Sequence, residues 1–202
     1  GVMRVVFVSN GHGEDMIASV IASALSRISN FEILGLPVVG VGGAYESKGI
    51  ETIGPRKTMP SGGFVKRDFS FLLKDIQNGL IGLTADQVGA LRKANSDIIV
   101  CVGDVYALLL TGLFTRKPRV FMPTAKSDYI SEHYGVEIRL MKKYAKKVIP
   151  RDQFTCDSLI DKGIDAVYLG NAMMDALEIT GEDFGIPEDR TVVGLLPGSR
   201  HE

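Results

Sequence analysis

Only two cysteines and three histidines occur among 202 residues, and tryptophan is absent. Cys101 and Cys156 are too few for a disulfide framework and have no metal-ligand spacing. Both read as reduced thiols of a cytoplasmic protein, Cys101 in a buried strand and Cys156 at a helix start. An excess of either charge is also missing: 23 basic side chains face 24 acidic ones. That balance excludes the broad positive field of a protein that wraps nucleic acid, so any anionic partner must be held locally. No basic-then-apolar leader opens the chain, and "VVFVS" is too short to cross a bilayer. Internal repeats and low-complexity tracts are absent as well.

What is present is a regular alternation. The β-branched runs "MRVVFV", "FEILGLPVVGVG", "SDIIVCVG", "PRVFMP", "KKVIP", "DAVYLG" and "TVVGLLPG" predict strands. Between them, "EDMIASVIASALSRI", "FVKRDFSFLLKDIQNGL", "TADQVGALRKA", "VYALLLTGLF", "YGVEIRLMKKY" and "DQFTCDSLIDKG" carry helical spacing, several with an acid or hydroxyl at the start and a glycine or basic residue at the end. Strands alternating with helices argue a parallel, doubly wound α/β sheet of Rossmann-like type. The polar, turn-rich stretch 178–190, "EITGEDFGIPEDR", predicts a linker between a first domain, 1–177, and the opening strand and turn of a second, 191–202.

Ligands of such folds sit at the carboxyl ends of strands, which singles out three turns. In "SNGHGED", Ser9 to Asp15, the glycines Gly11 and Gly13 allow a sharp turn and close approach. The helix that follows points its unpaired N–H groups and dipole at the same spot, suiting an anionic or multi-hydroxyl ligand. Glu14 and Asp15 could instead simply complement the dipole, and His12 is either a titrating donor or polar surface. At "CVGDVYALLL", Asp104 is either a helix cap or a general base. At "LLPGSRHE", a tight turn exposes Ser199 and Arg200, and arginine is shaped for a diphosphate. "KKYAKK" reads as a solvated helix end rather than a lipid patch. Residues 55–83 mix Lys and Arg with Phe64, Phe69, Phe71, Leu72 and Leu73, a stripe that suits either a lipid interface or core packing.

Together these stretches resemble the lipid-A-disaccharide synthase family, inverting glycosyltransferases of GT-B architecture, almost end to end. The resemblance rests on "VSNGHGEDMIASVIASAL", "VVGVGGAYESKG", "SDIIVCVGD", "AVYLGNAMMDAL" and, most specifically, "LLPGSRHE". It implies the N-terminal half of a GT-B fold that transfers a sugar of N-acetylglucosamine type from a UDP-sugar to a lipid-linked or saccharide acceptor. Asp104 would be the catalytic aspartate. Ser9, Asn10, Gly11, His12, Gly13, Glu14 and Asp15 would shape the acceptor side, and Gly198, Ser199 and Arg200 the donor-diphosphate loop. No cofactor beyond the UDP-sugar substrate is implied, and no metal. The expected partners are that donor and a lipid or glycolipid acceptor, with peripheral membrane contact through 64–83 on the cytoplasmic side. The apolar strand "TVVGLL" should fold back on the first domain or pair with a second copy. The family's opening loop places its acids differently from "GHGED", and the aromatic stretch expected after the fifth strand is replaced by "MPTAKSDYI", which implies a different acceptor. The alternatives are an enzyme like the UDP-N-acetylglucosamine epimerases and a non-catalytic binding module of the same fold.

Overall fold

The structure, a computed structural model, describes residues 1–40, 42–55, 85–124 and 135–169. The expected linker at 178–190, the donor turn at Gly198, Ser199 and Arg200, and the amphipathic stretch 64–83 lie outside the described residues.

Six parallel strands form one sheet in the order β3-β2-β1-β4-β5-β6. They are β1 (Arg4–Ser9), β2 (Glu32–Pro37), β3 (Glu51–Thr52), β4 (Ile98–Gly103), β5 (Arg119–Pro123) and β6 (Lys147–Val148). The order runs one way from β1 to β3 and the other way from β4 to β6, the doubly wound arrangement that the alternation predicts. Connecting them are α1 (His12–Ile28), α2 (Gly43–Ser47), α3 (Ala85–Ala94), α4 (Val105–Phe114) and α5 (Gly135–Tyr144), with α6 (Gln153–Asp161) following β6.

Central strands of a parallel sheet must be apolar on both faces, and β1 and β4 meet that demand with β-branched residues. Val5 and Phe7 of β1, with Ile98, Val100 and Val102 of β4, pack under α1 and Tyr45 of α2. Val6 and Val8, with Ile99 and Cys101, pack against α3 to α6 on the other face. Burial pushes the Cys101 thiol up to about 11, and its Sγ lies 3.3 Å from Thr111 Oγ1, so this cysteine is an inert core residue.

Three local expectations need correction. "DAVYLG" adds no strand; it makes a single bridge from Ala166 to Val148. Helix α1 begins at His12, two residues before the predicted "EDM", so "SNGHGED" is a two-residue loop followed by the first helical turn. Neither Gly11 nor Gly13 takes a left-handed conformation, so the turn does not depend on their backbone freedom.

Candidate functional site

Ser9, at the end of β1, is in register with Pro37 of β2 and Val102 of β4. The chain leaves β1 and β4 on opposite faces of the sheet, and the crevice outside their carboxyl ends is the place where doubly wound folds take ligands. The structure brings the first two of the three turns to this edge.

Asp104 caps α4: the Tyr106 N–H donates to its Oδ1 at 2.9 Å, and the residue is half-buried. From the neighbouring strand end, Asn10 Nδ2 donates to the same Oδ1, also at 2.9 Å. The carboxylate is thus both a helix cap and a group held across the crevice from β1. Two donors on one oxygen fix the plane of the carboxylate. Gly103 makes the approach feasible, because its φ of 147° is one that residues with a side chain rarely adopt and a Cβ there would overlap Asn10 Oδ1. Asn10 is 3% exposed, and Thr124, just past β5, closes the far side through its N–H to Gly103 O at 3.0 Å.

The two acids of "GHGED" part company. Glu14 lies over the crevice: its carboxylate rests on Gly11, where a Cβ would displace it, and its Cγ faces Gly103. Its Oε1 is 3.5 Å from Thr124 Oγ1, the outer limit of a hydrogen bond. Asp15 turns inward instead and is 4% exposed. It accepts a short hydrogen bond from Ser9 Oγ, which lies 2.6 Å from the Tyr45 hydroxyl. Burial pushes the Asp15 carboxyl up to about 7; the Ser9 hydrogen bond opposes that shift and the Glu14 charge adds to it. Burial, with the nearby Asp15 charge, also holds the Tyr45 phenol well above its ordinary range.

His12 is exposed, its ring beside Gly40, and Gly13 faces open space. Of the seven residues expected at the acceptor side, Asn10, Gly11 and Glu14 therefore line the crevice with Asp104. Ser9 and Asp15 lie beneath it with their polar groups turned to each other, and His12 and Gly13 stand at its rim. Helix α1 has Gly11 as its N-cap and no side-chain cap.

Three contributors are not singled out by the sequence. Tyr45 completes the buried chain of hydroxyls. The signal for it is Gly35 in the middle of β2, where a Cβ would come within 2.6 Å of the Tyr45 ring. Thr124 and Arg151 form a second pair, the Arg151 guanidinium donating to Thr124 O at the ends of β5 and β6. They are brought to the edge by strand order, which has no local signature. Among the described residues no cluster of His, Cys, Asp and Glu is arranged to hold a metal, and no helix is long and apolar enough to cross a membrane.

No protein-family model matches the chain, and no curated protein matches it significantly. Its architecture nevertheless has solved counterparts of GT-B type. A UDP-N-acetylglucosamine 2-epimerase aligns with a TM-score of 0.60 at 10% identity, over 96% of this chain and 55% of the other. A Listeria monocytogenes protein described as an enzyme of the same name aligns at 0.56 and 14% identity, over 93% and 50%. HepE of Anabaena, solved in complex with UDP and glucose, aligns at 0.53 and 17% identity, over 84% and 44%. At these identities the likeness is one of fold, and the chain spans about half the length of those structures.

Proposed function

We propose that this chain is the acceptor-binding half of a sugar-nucleotide-dependent glycosyltransferase of GT-B architecture. The observation that carries the reading is the Asp104 carboxylate at the strand-order reversal, held from β4 by its own helix and from β1 by Asn10. Support comes from the fold shared with proteins whose names specify UDP or a UDP-sugar. In this reading Asp104 is the general base. It takes the proton of an acceptor hydroxyl as that oxygen forms a bond to the anomeric carbon, while the bond from that carbon to the diphosphate breaks on the opposite face and the configuration inverts. The leaving diphosphate is stabilised by fixed donors, for which Gly198, Ser199 and Arg200 are the candidates, without a metal.

The Glu14 carboxylate over Gly11 sits where an anion would meet the α1 amides, so the acceptor presents a neutral hydroxyl there rather than a phosphate. The resemblance to lipid-A-disaccharide synthase supports a UDP-N-acetylglucosamine-type donor and a lipid-linked or saccharide acceptor. It also supports a cytoplasmic enzyme whose stretch 64–83 meets the membrane surface, and a division at 178–190 beyond which the donor domain begins.

The epimerase-type structures favour one second reading, inversion at C2 of UDP-N-acetylglucosamine. Incubation of the full-length protein with UDP-N-acetylglucosamine in deuterated water separates the two. Inversion at C2 must break a C–H bond, so deuterium entering the sugar without any acceptor would overturn the transferase reading. Acceptor-dependent release of UDP with no deuterium incorporation is the expected result.

A further inference from the structure

The buried chain of Tyr45, Ser9 and Asp15 takes no part in the transfer step, yet it lies directly under the residues that would. It joins three separate elements: Tyr45 stands on α2, Ser9 ends β1, and Asp15 is in the first turn of α1. A Cβ on Gly40, in the segment following β2, would come within 2.7 Å of Asp15 Oδ2, so that segment is pressed against the carboxylate too. The next residue after Ser9 is Asn10, whose amide reaches Asp104.

We propose that Asp15 is a positioning residue that fixes the end of β1 through Ser9, and that its protonation state governs how firmly Asn10 holds Asp104. As a statement about transfer this rests on Asp104 being the base; as a statement about coupling it does not.

Proton accounting gives the coupling a direction. Among the described residues the Tyr45 hydroxyl is bonded only to Ser9 Oγ, so Tyr45 donates to Ser9 and Ser9 donates to Asp15. An ionised Asp15 makes the last link charge-assisted and holds the whole chain in that sense. A proton on Asp15 removes the charge. If that proton sits on Oδ1, Asp15 becomes the donor of the last link, and three protons then serve two links, so either the Ser9 or the Tyr45 proton is left without an acceptor in the chain. Ser9 is then held less firmly, and Asn10 with it.

The groups facing Asp15 are few. Glu14 on its own helix opposes ionisation, and Tyr45 on α2 stays protonated far above neutrality. His12 lies across Gly40, while Ser9 of β1 and the segment 38–40 contribute no charge. Burial pushes the carboxyl up to about 7, which brings both of its states within reach near neutral pH.

The test is an NMR titration of the labelled 202-residue chain from pH 5 to 9, following the Asp15 carboxyl carbon and the Asn10 side-chain amide. Both should move with one shared midpoint near 7, and Asp15→Asn should abolish the Asn10 inflection. Tyr45→Phe keeps the ring against Gly35 but removes the hydroxyl that feeds the chain, so both midpoints should rise together. An Asn10 amide with no inflection at the Asp15 midpoint overturns the proposal. So does an inflection that survives Asp15→Asn or, should that variant fail to fold, midpoints that Tyr45→Phe leaves where they were. Turnover is not read in this experiment, so an error about the base leaves its outcome unchanged.

Discussion

Consecutive residues of "GHGED" end in different environments. His12 faces solvent, Glu14 covers the crevice and Asp15 is buried, because a helix turns each successive side chain by about 100°. The motif was legible as a glycine-bracketed acidic turn, but which acid points outward depends on where the helix starts. That start lies two residues earlier than the apolar spacing suggests. Asp104 was legible as cap or base, and its cap is visible in the bond from Tyr106 N.

The two roles come apart in substitutions. Asn caps helices about as well as Asp, so Asp104→Asn should leave the melting temperature nearly unchanged, whereas Asp104→Ala should cost about 1 kcal/mol in chemical denaturation. Asp15 gives a pH signature of definite sign. Its carboxyl is raised from 3.8 to about 7, so between these values the folded chain keeps a proton that the unfolded chain has released. Stability thus falls as pH rises through this window, by about 4 kcal/mol in total once pH exceeds 7. Denaturation at pH 4 and pH 8 should therefore show the wild type losing stability relative to Asp15→Asn as pH rises. Parallel pH dependence in the two proteins would contradict the burial of this carboxyl.

At the scale of elements, the long and strongly patterned pieces could be read and the short ones could not. Helix α4 occupies 105–114, the whole predicted run "VYALLLTGLF", because ten largely apolar residues behind an aspartate leave few alternatives. Strand β3 has two residues and α2 has five, too few for any periodicity, and both exist because β2 and Tyr45 give them something to pack on. Close approach between elements leaves a trace in glycine. Gly103 allows Asn10 of the β1 loop to pass over the end of β4, and its φ of 147° would be strained with a side chain. Gly103→Ala should cost roughly 1–3 kcal/mol and loosen the bond from Asn10 to Asp104. The check is a denaturant midpoint alongside the protection of the Asn10 side-chain amide from exchange. Loss of stability with the amide still protected would mean that the glycine serves only the backbone.

For the molecule as a whole, alternation of strand and helix was enough to predict a parallel sheet. It could not predict that Thr124 and Arg151 would join the crevice, since strand order is set by packing far apart in sequence. The proposed division of labour places the donor diphosphate against Gly198, Ser199 and Arg200 and leaves β1 and β4 to the acceptor. Because only the stretch 191–202 represents the proposed donor domain, Arg200 lacks the rest of its pocket, so calorimetric titration of the 202-residue chain with UDP should show no submillimolar binding, and such binding would overturn this division. The central claim, that Asp104 is the base of a transfer reaction, is tested most directly by Asp104→Asn in the full-length enzyme, with turnover and UDP affinity measured on the same preparation. A base acts in the transition state, so turnover should fall by about 10²–10⁴ while UDP affinity stays within a factor of about two. Turnover equal to wild type would return Asp104 to the single role of capping α4.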